Sequence, residues 1–388
     1  MPSATYDPSL FDDIRPYYDS EIPAAMERIA ESEFFPLLAS YVYPDEPLDQ
    51  VRLRLRSFRT IRDFQFEVMK NVNAQVLARS TTAFNVSGLE RLLPNTDYLY
   101  VSNHRDIVLD SSLMQYVLYQ NGRDTTEITF GANLMSSPLI IDIGKSNKMF
   151  RVERGGSMRD FYQSSRHLSD YIRFVILQKK QSVWIAQRNG RTKDGCDRTD
   201  QGIIKMFCLS RPDDKIAALA ELNILPVSIS YEWEPCDVLK ALELYASRFA
   251  KYVKKPGEDL NSILTGFVQH KGRVALTFCK PIAREELLAF DGCTKTEYHK
   301  QVAALIDRRI VEAYALSPNN FIAHDLRYGQ THYRTLYSPE AREKFEKRMR
   351  RFEAFDIDEP DVLRDIFLAI YANPIDRKKE LGFKVELP

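Results

Sequence analysis

Between Tyr100 and Ser112 the chain reads YVSNHRDIVLDSS, which sets one histidine, one arginine and two carboxylates directly after a run that alternates like a strand. Four readings suit these groups. His104 could act as a base oriented by Asp106 or Asp110; His104-Arg105-Asp106 copies the opening of a kinase catalytic loop; His104, Asp106 and Asp110 could ligate a metal; or the segment is a salt-bridged strand end. The kinase reading fails on spacing, because the asparagine that should follow the aspartate by five residues is Ser111, and no Gly-rich loop precedes it. Gly144-Lys145-Ser146 imitates the end of a phosphate-binding loop, yet the first glycine of that motif would have to stand at Leu139.

Two further stretches carry groups suited to an anion. In KMFRVERGG, Arg154 stands at a strand end before Gly155-Gly156, where backbone can approach a ligand and a guanidinium can grip a phosphate bidentately. The alternative is a solvated basic rim of Arg151, Arg154 and Arg159. In VWIAQRNGRTKDG, Arg188, Arg191 and Lys193 fall in the turn after a strand, at the edge of an open sheet where ligands usually bind. Asn189 and Gly190 form the tip of that turn.

The elements that must position these groups follow from pattern. Short apolar or alternating runs predict strands at Ala83–Val86, Tyr98–Ser102, Glu127–Gly131, Lys148–Val152, Ser182–Ala186, Ile224–Tyr231 and Arg273–Phe278. Helical periodicity predicts Ser111–Gln120, Met158–Lys180, Asp213–Leu222, Pro235–Lys254 and Lys295–Ala315. Such alternation means an α/β fold, a mixed sheet covered by helices. Residues 1–80 read as an N-terminal helical domain, 81–316 as the α/β domain and 317–388 as a helical C-terminal extension. Helix Ser111–Gln120 would present Asp110 at its first turn, where carboxylates are favoured, and its start would offer free N–H groups to a developing oxyanion.

With 54 Lys+Arg against 54 Asp+Glu, nothing in the overall balance calls for nucleic acid. The five cysteines lack Cys-x-x-Cys spacing, so neither a disulfide framework nor a zinc site is indicated and a cytoplasmic setting fits best. No secretory signal is read at the N-terminus, and the longest uncharged run, Ile128 to Ile141, is too short to span a bilayer. Leu242, Tyr245, Phe249 and Val253, with lysines around them, suggest an interfacial helix over Val238–Lys255, though core packing is the commoner meaning of such a stripe. The basic stretch Arg342–Arg351 could meet anionic lipid or an acidic protein, with a solvated helix face as the default.

Read together, FNVSGLERLLPNTDYLYVSNHRDIVLDSS, KMFRVERGG, VWIAQRNGRTKDG and LNILPVSISYE resemble, in order and spacing, the four blocks of the glycerolipid acyltransferase superfamily, over about Phe84 to Ile282. The resemblance implies an acyltransferase that moves a fatty acyl group from an acyl carrier protein or coenzyme A thioester to a hydroxyl of a phosphorylated glycerol acceptor, lysophosphatidate or glycerol 3-phosphate. It implies no metal and no cofactor, and work at the inner face of a membrane. His104 would be the base, Asp110 its orienter, and Arg154, Asn189, Gly190, Arg191 and Lys193 the acceptor site. Two departures stand out. The family spacing puts the aspartate at Leu109, so Asp110 implies one inserted residue, and Asn189 stands where the family has glutamate. A catalytically silent lipid or acyl-carrier binding protein, and a metal-dependent phosphoesterase built on His104, Asp106 and Asp110, are the alternatives.

Overall fold

The computed structural model describes residues 5–388 other than Ser136 and Arg154. Its centre is a seven-stranded sheet in the order β1-β7-β6-β2-β5-β3-β4. The strands are β1 (Thr81–Ser87), β2 (Leu99–Ser102), β3 (Glu127–Gly131), β4 (Met149–Val152), β5 (Val183–Ala186), β6 (Ile224–Tyr231) and β7 (Gly272–Phe278). All neighbours run parallel except β6 and β7, which pair antiparallel, so the sheet is mixed.

Period-two alternation sorts the strand residues onto two faces. Leu99, Val101, Val183, Ile185 and Ile224 join one buried cluster with Tyr171, Val175 and Ile306 of the helices Met158–Leu177 and Lys295–Ala313. Tyr98, Tyr100, Trp184, Leu225, Val227 and Ile229 join the other, under Leu113 and Val117 of the helix Leu109–Gln120. The middle strands are covered on both faces, which is why they read as continuous apolar runs.

The N-terminal helices Ile22–Glu31, Phe35–Val42 and Leu48–Ser57 have their own core of Met26, Ile29, Phe35, Val51 and Leu55. Arg28 ties them to the sheet region by donating from Nε and Nη2 to Asp142, at 2.9 and 2.6 Å. The C-terminal helices gather Phe321, Phe345, Phe367 and Tyr371 around Ala241 and Tyr245.

Several predicted boundaries are corrected. The helix expected over Pro235–Lys254 is only Asp237–Ala246, with Cys236 before it at φ 58°, so no interfacial helix spans Val238–Lys255. Lys240, one of the lysines around that apolar stripe, is buried and donates to Glu234 and to the Arg105 carbonyl, both at 2.6 Å. Asp213–Leu222 shortens to Lys215–Ala220 because the Asp214 side chain caps the Ala217 amide. The helices Pro138–Ser146, Gln201–Phe207 and Glu258–Val268 were not expected from periodicity; the first two open on Ser137 and Asp200 as side-chain caps.

The C-terminal helix Pro360–Glu380 clasps the turn after β5: Asn373 donates to the Asp194 carbonyl at 2.7 Å, and Gly195, at φ 74°, lies so close that a Cβ there would meet the Ile370 carbonyl oxygen at 2.0 Å. Gly195→Ala should therefore destabilise the fold by on the order of 2 kcal/mol or more, since both the left-handed backbone and the contact oppose a side chain. Urea denaturation followed by circular dichroism reads this; an unchanged midpoint would show that the clasp is loose.

Candidate active site

Strand β2 ends at Ser102, and the turn after it carries His104 to the rim of the sheet. The β2–β5 ladder continues past both strands: the Gln187 amide donates to the Ser102 carbonyl and the Thr192 amide to the His104 carbonyl, each at 2.7 Å. The two candidate segments are thus joined side by side. His104 is buried, its ring edge-on to Trp184 at 5.9 Å between centroids.

His104 Nδ1 lies 2.9 Å from Asp110 Oδ2, which also accepts the backbone N–H groups of Arg105 at 2.6 Å and Asp106 at 2.8 Å. The chain folds back within six residues because Asp110 sits in the first turn of Leu109–Gln120, where the positive end of the helix favours a carboxylate. Asp110 Oδ1 accepts the Tyr231 hydroxyl at 2.8 Å. Burial, with the Asp110 carboxylate beside it, pushes the Tyr231 pKa well above its ordinary value, so this phenol remains a donor.

Asp106 turns the other way. Its Oδ1 accepts from the Val108 and Leu109 amides, both at 2.9 Å, and so caps the helix. The amides of Val108 and Leu109 at the helix start are thus taken by Asp106, and those of Arg105 and Asp106 just before it by Asp110. His104, Asp106 and Asp110 do not converge, and among the described residues no group of three or more His, Cys, Asp or Glu side chains could hold a metal ion.

Of the expected acceptor residues, Asn189 is exposed at the tip of the turn and Gly190 takes φ 74°, which a glycine adopts without strain. Arg191 is 8% exposed, and its Nη1 is buried without a hydrogen-bond partner. Lys193 is not a free cation, because Glu243 pairs with it. Arg154 lies outside the described residues.

A buried charge network beneath the turn was not anticipated. Arg105 donates from Nη2 to Asp197 at 2.7 Å and to the Gly195 carbonyl at 3.2 Å, and from Nη1 to Glu234 at 3.3 Å. Asp197 also accepts from Asn103 at 3.0 Å and from Thr192 at 2.8 Å. Burial opposes the Arg105 charge, but Asp197 and Glu234 outweigh it and its pKa stands well above the usual arginine value. Arg105, between His104 and Asp106, looks like one more polar residue of the turn, and Asp197 and Glu234 stand 92 and 129 residues away along the chain.

Residues 83–230 match the Acyltransferase family model. This segment is an acyltransferase domain. It contains most of β1, all of β2 to β5 and nearly all of β6, and with them His104, Asp110 and Arg191. Among solved structures the chain is similar to the 1-acyl-sn-glycerophosphate (LPA) acyltransferase PlsC from Thermotoga maritima, at 14% identity over 74% of this chain and 93% of that one, with a TM-score of 0.39. No curated protein sequence matches the chain.

Proposed function

We propose that the protein transfers a fatty acyl group from an acyl carrier protein or coenzyme A thioester to a hydroxyl of a phosphorylated glycerol acceptor, glycerol 3-phosphate or lysophosphatidate, as a step of phospholipid synthesis. The observation that carries this reading is the His104–Asp110 pair inside an acyltransferase domain. With Nδ1–H donating to Asp110, Nε2 is left as the base. It takes the proton of the acceptor hydroxyl as that oxygen attacks the thioester carbonyl. A C–O bond forms, the C–S bond breaks, and the proton passes from the imidazolium to the leaving thiolate. Asp110 holds the ring and stabilises its cation; Tyr231 holds Asp110.

The acceptor phosphate is assigned to Arg191, whose Nη1 is buried without a partner beside the His104 turn, together with Arg154. Gly190 lets the turn approach the ligand, and Asn189 offers it a neutral polar group. Lys193, held by Glu243, supports the turn rather than meeting phosphate directly. No helix of the described residues is long and apolar enough to cross a membrane, which is compatible with action from a membrane surface.

Incubation with acyl thioesters and a panel of acceptors, with products identified by mass spectrometry, tests the reading; intact thioester with every acceptor would favour a silent binding protein. His104→Ala and Asp110→Ala should each lower kcat by a factor on the order of a hundred or more, with the double variant little worse because the two act as one unit. Asp106→Ala, which removes a helix cap, should cost far less activity; the reverse ranking would break the assignment.

Arg191→Ala should lower kcat/KM for a phosphorylated acceptor by roughly ten- to a hundredfold while leaving the donor KM nearly unchanged. Steady-state kinetics with glycerol 3-phosphate and with a phosphate-free acceptor separates the cases, and an equal loss for both acceptors would take Arg191 out of phosphate binding.

A further inference from the structure

The helix Glu258–Val268 lies against the turn that carries His104. Gly266 is buried there, and a Cβ on it would come within 2.3 Å of Asp106 Oδ2; Phe267 meets Tyr41 with ring centroids 6.4 Å apart. The inward face of this helix carries Ser262 and Gly266, and the exposed apolar residues lie on the other side. Leu260, Leu264 and Val268 recur every four residues, forming one stripe, and are 50%, 54% and 72% exposed. Just before the helix, Phe249 and Val253 are 62% and 78% exposed. A globular helix ordinarily turns its apolar stripe inward, so an apolar stripe facing out calls for a partner.

Charge indicates which partner. The carboxylates in this region are occupied: Glu258 accepts the Tyr252 hydroxyl at 2.7 Å and the Lys255 amide at 3.0 Å, and Asp259 is paired with Lys254. Lys251 and Lys255 are exposed, and neither is in an ion pair among the described residues. Apolar side chains interleaved with free lysines suit the boundary between headgroups and acyl chains of an anionic bilayer, where apolar groups insert and each lysine meets lipid phosphate. We propose that Phe249, Val253, Leu260, Leu264 and Val268, with Lys251 and Lys255, form a face that docks the protein on an anionic lipid surface. This deepens the proposed function, since it would supply a lipid-borne acceptor or receive a lipid product, but docking itself requires no substrate.

Flotation of the full-length protein with vesicles tests it. Wild type should bind vesicles of phosphatidylcholine with phosphatidylglycerol and bind those of phosphatidylcholine alone at least tenfold more weakly. Leu260→Ser with Leu264→Ser and Val268→Ser should reduce binding at least tenfold, and Lys251→Glu with Lys255→Glu should remove the preference for anionic vesicles, both with unchanged circular dichroism. Transfer to glycerol 3-phosphate in solution should be unaffected by the serine substitutions. Wild-type flotation by the serine variant, or no wild-type flotation, overturns the proposal. So does light scattering that shows a wild-type dimer and a monomeric serine variant without vesicle binding by either, which would assign the face to a second copy of the chain. Flotation is read without thioester or acceptor, so absence of transfer refutes the proposed function and leaves this inference standing.

Discussion

A guanidinium removed from water is tolerated only where its charge and its donors are met, and Arg105 is 1% exposed. Asp197 and Glu234 meet the charge, the Gly195 carbonyl takes a further N–H, and the Tyr314 ring lies 5.0 Å from the guanidinium carbon. These partners come from the turn after β5, the turn after β6 and the end of the helix Lys295–Ala313, so one cation gathers three separate parts of the chain beneath His104. Loss of one partner from such a group typically costs roughly 3–5 kcal/mol, because the remaining charge stays buried. The His104 turn is therefore held from below by charge and from the side by backbone hydrogen bonds to Thr192 and Gln187.

Chain beyond the matched residues 83–230 takes part in this arrangement. Glu234 and Lys240 lie beyond the matched segment, yet Lys240 donates to the carbonyl of Arg105 next to His104. The helix Pro360–Glu380 closes on Gly195 and Asp194, and through them on Asp197. Residues far outside the matched segment thus set the position of the imidazole, a precision that base catalysis rewards because the proton must move across one hydrogen-bond length.

The seven strands were legible because each is a short apolar or alternating run, and the covered central ones admit little else. Asp110 was legible as the partner of His104 from its place at the helix start, although the spacing differed from the family pattern by one residue. Misreadings arose where charge is buried. In sequence Lys240 looks like a lysine flanking an interfacial stripe and Lys193 like a cation of the acceptor site, and only the folded chain brings Glu234 and Glu243 to them. Tyr231 closes an apolar strand and gives no local sign that its hydroxyl will reach Asp110 from 121 residues away. The helix Glu258–Val268 was missed although Leu260, Ile263, Leu264, Phe267 and Val268 recur at helical spacing, because it is short and opens on Gly257 without a side-chain cap.

The central claim is that Asp110 holds His104 with the proton on Nδ1 and Nε2 open to the acceptor. Nitrogen-15 NMR of histidine-labelled protein, with His104 assigned by its absence in His104→Ala, measures this directly. The account predicts that the neutral ring carries its proton on Nδ1 and that Asp110→Ala abolishes the preference. A ring protonated on Nε2, or a tautomer indifferent to Asp110, would contradict it.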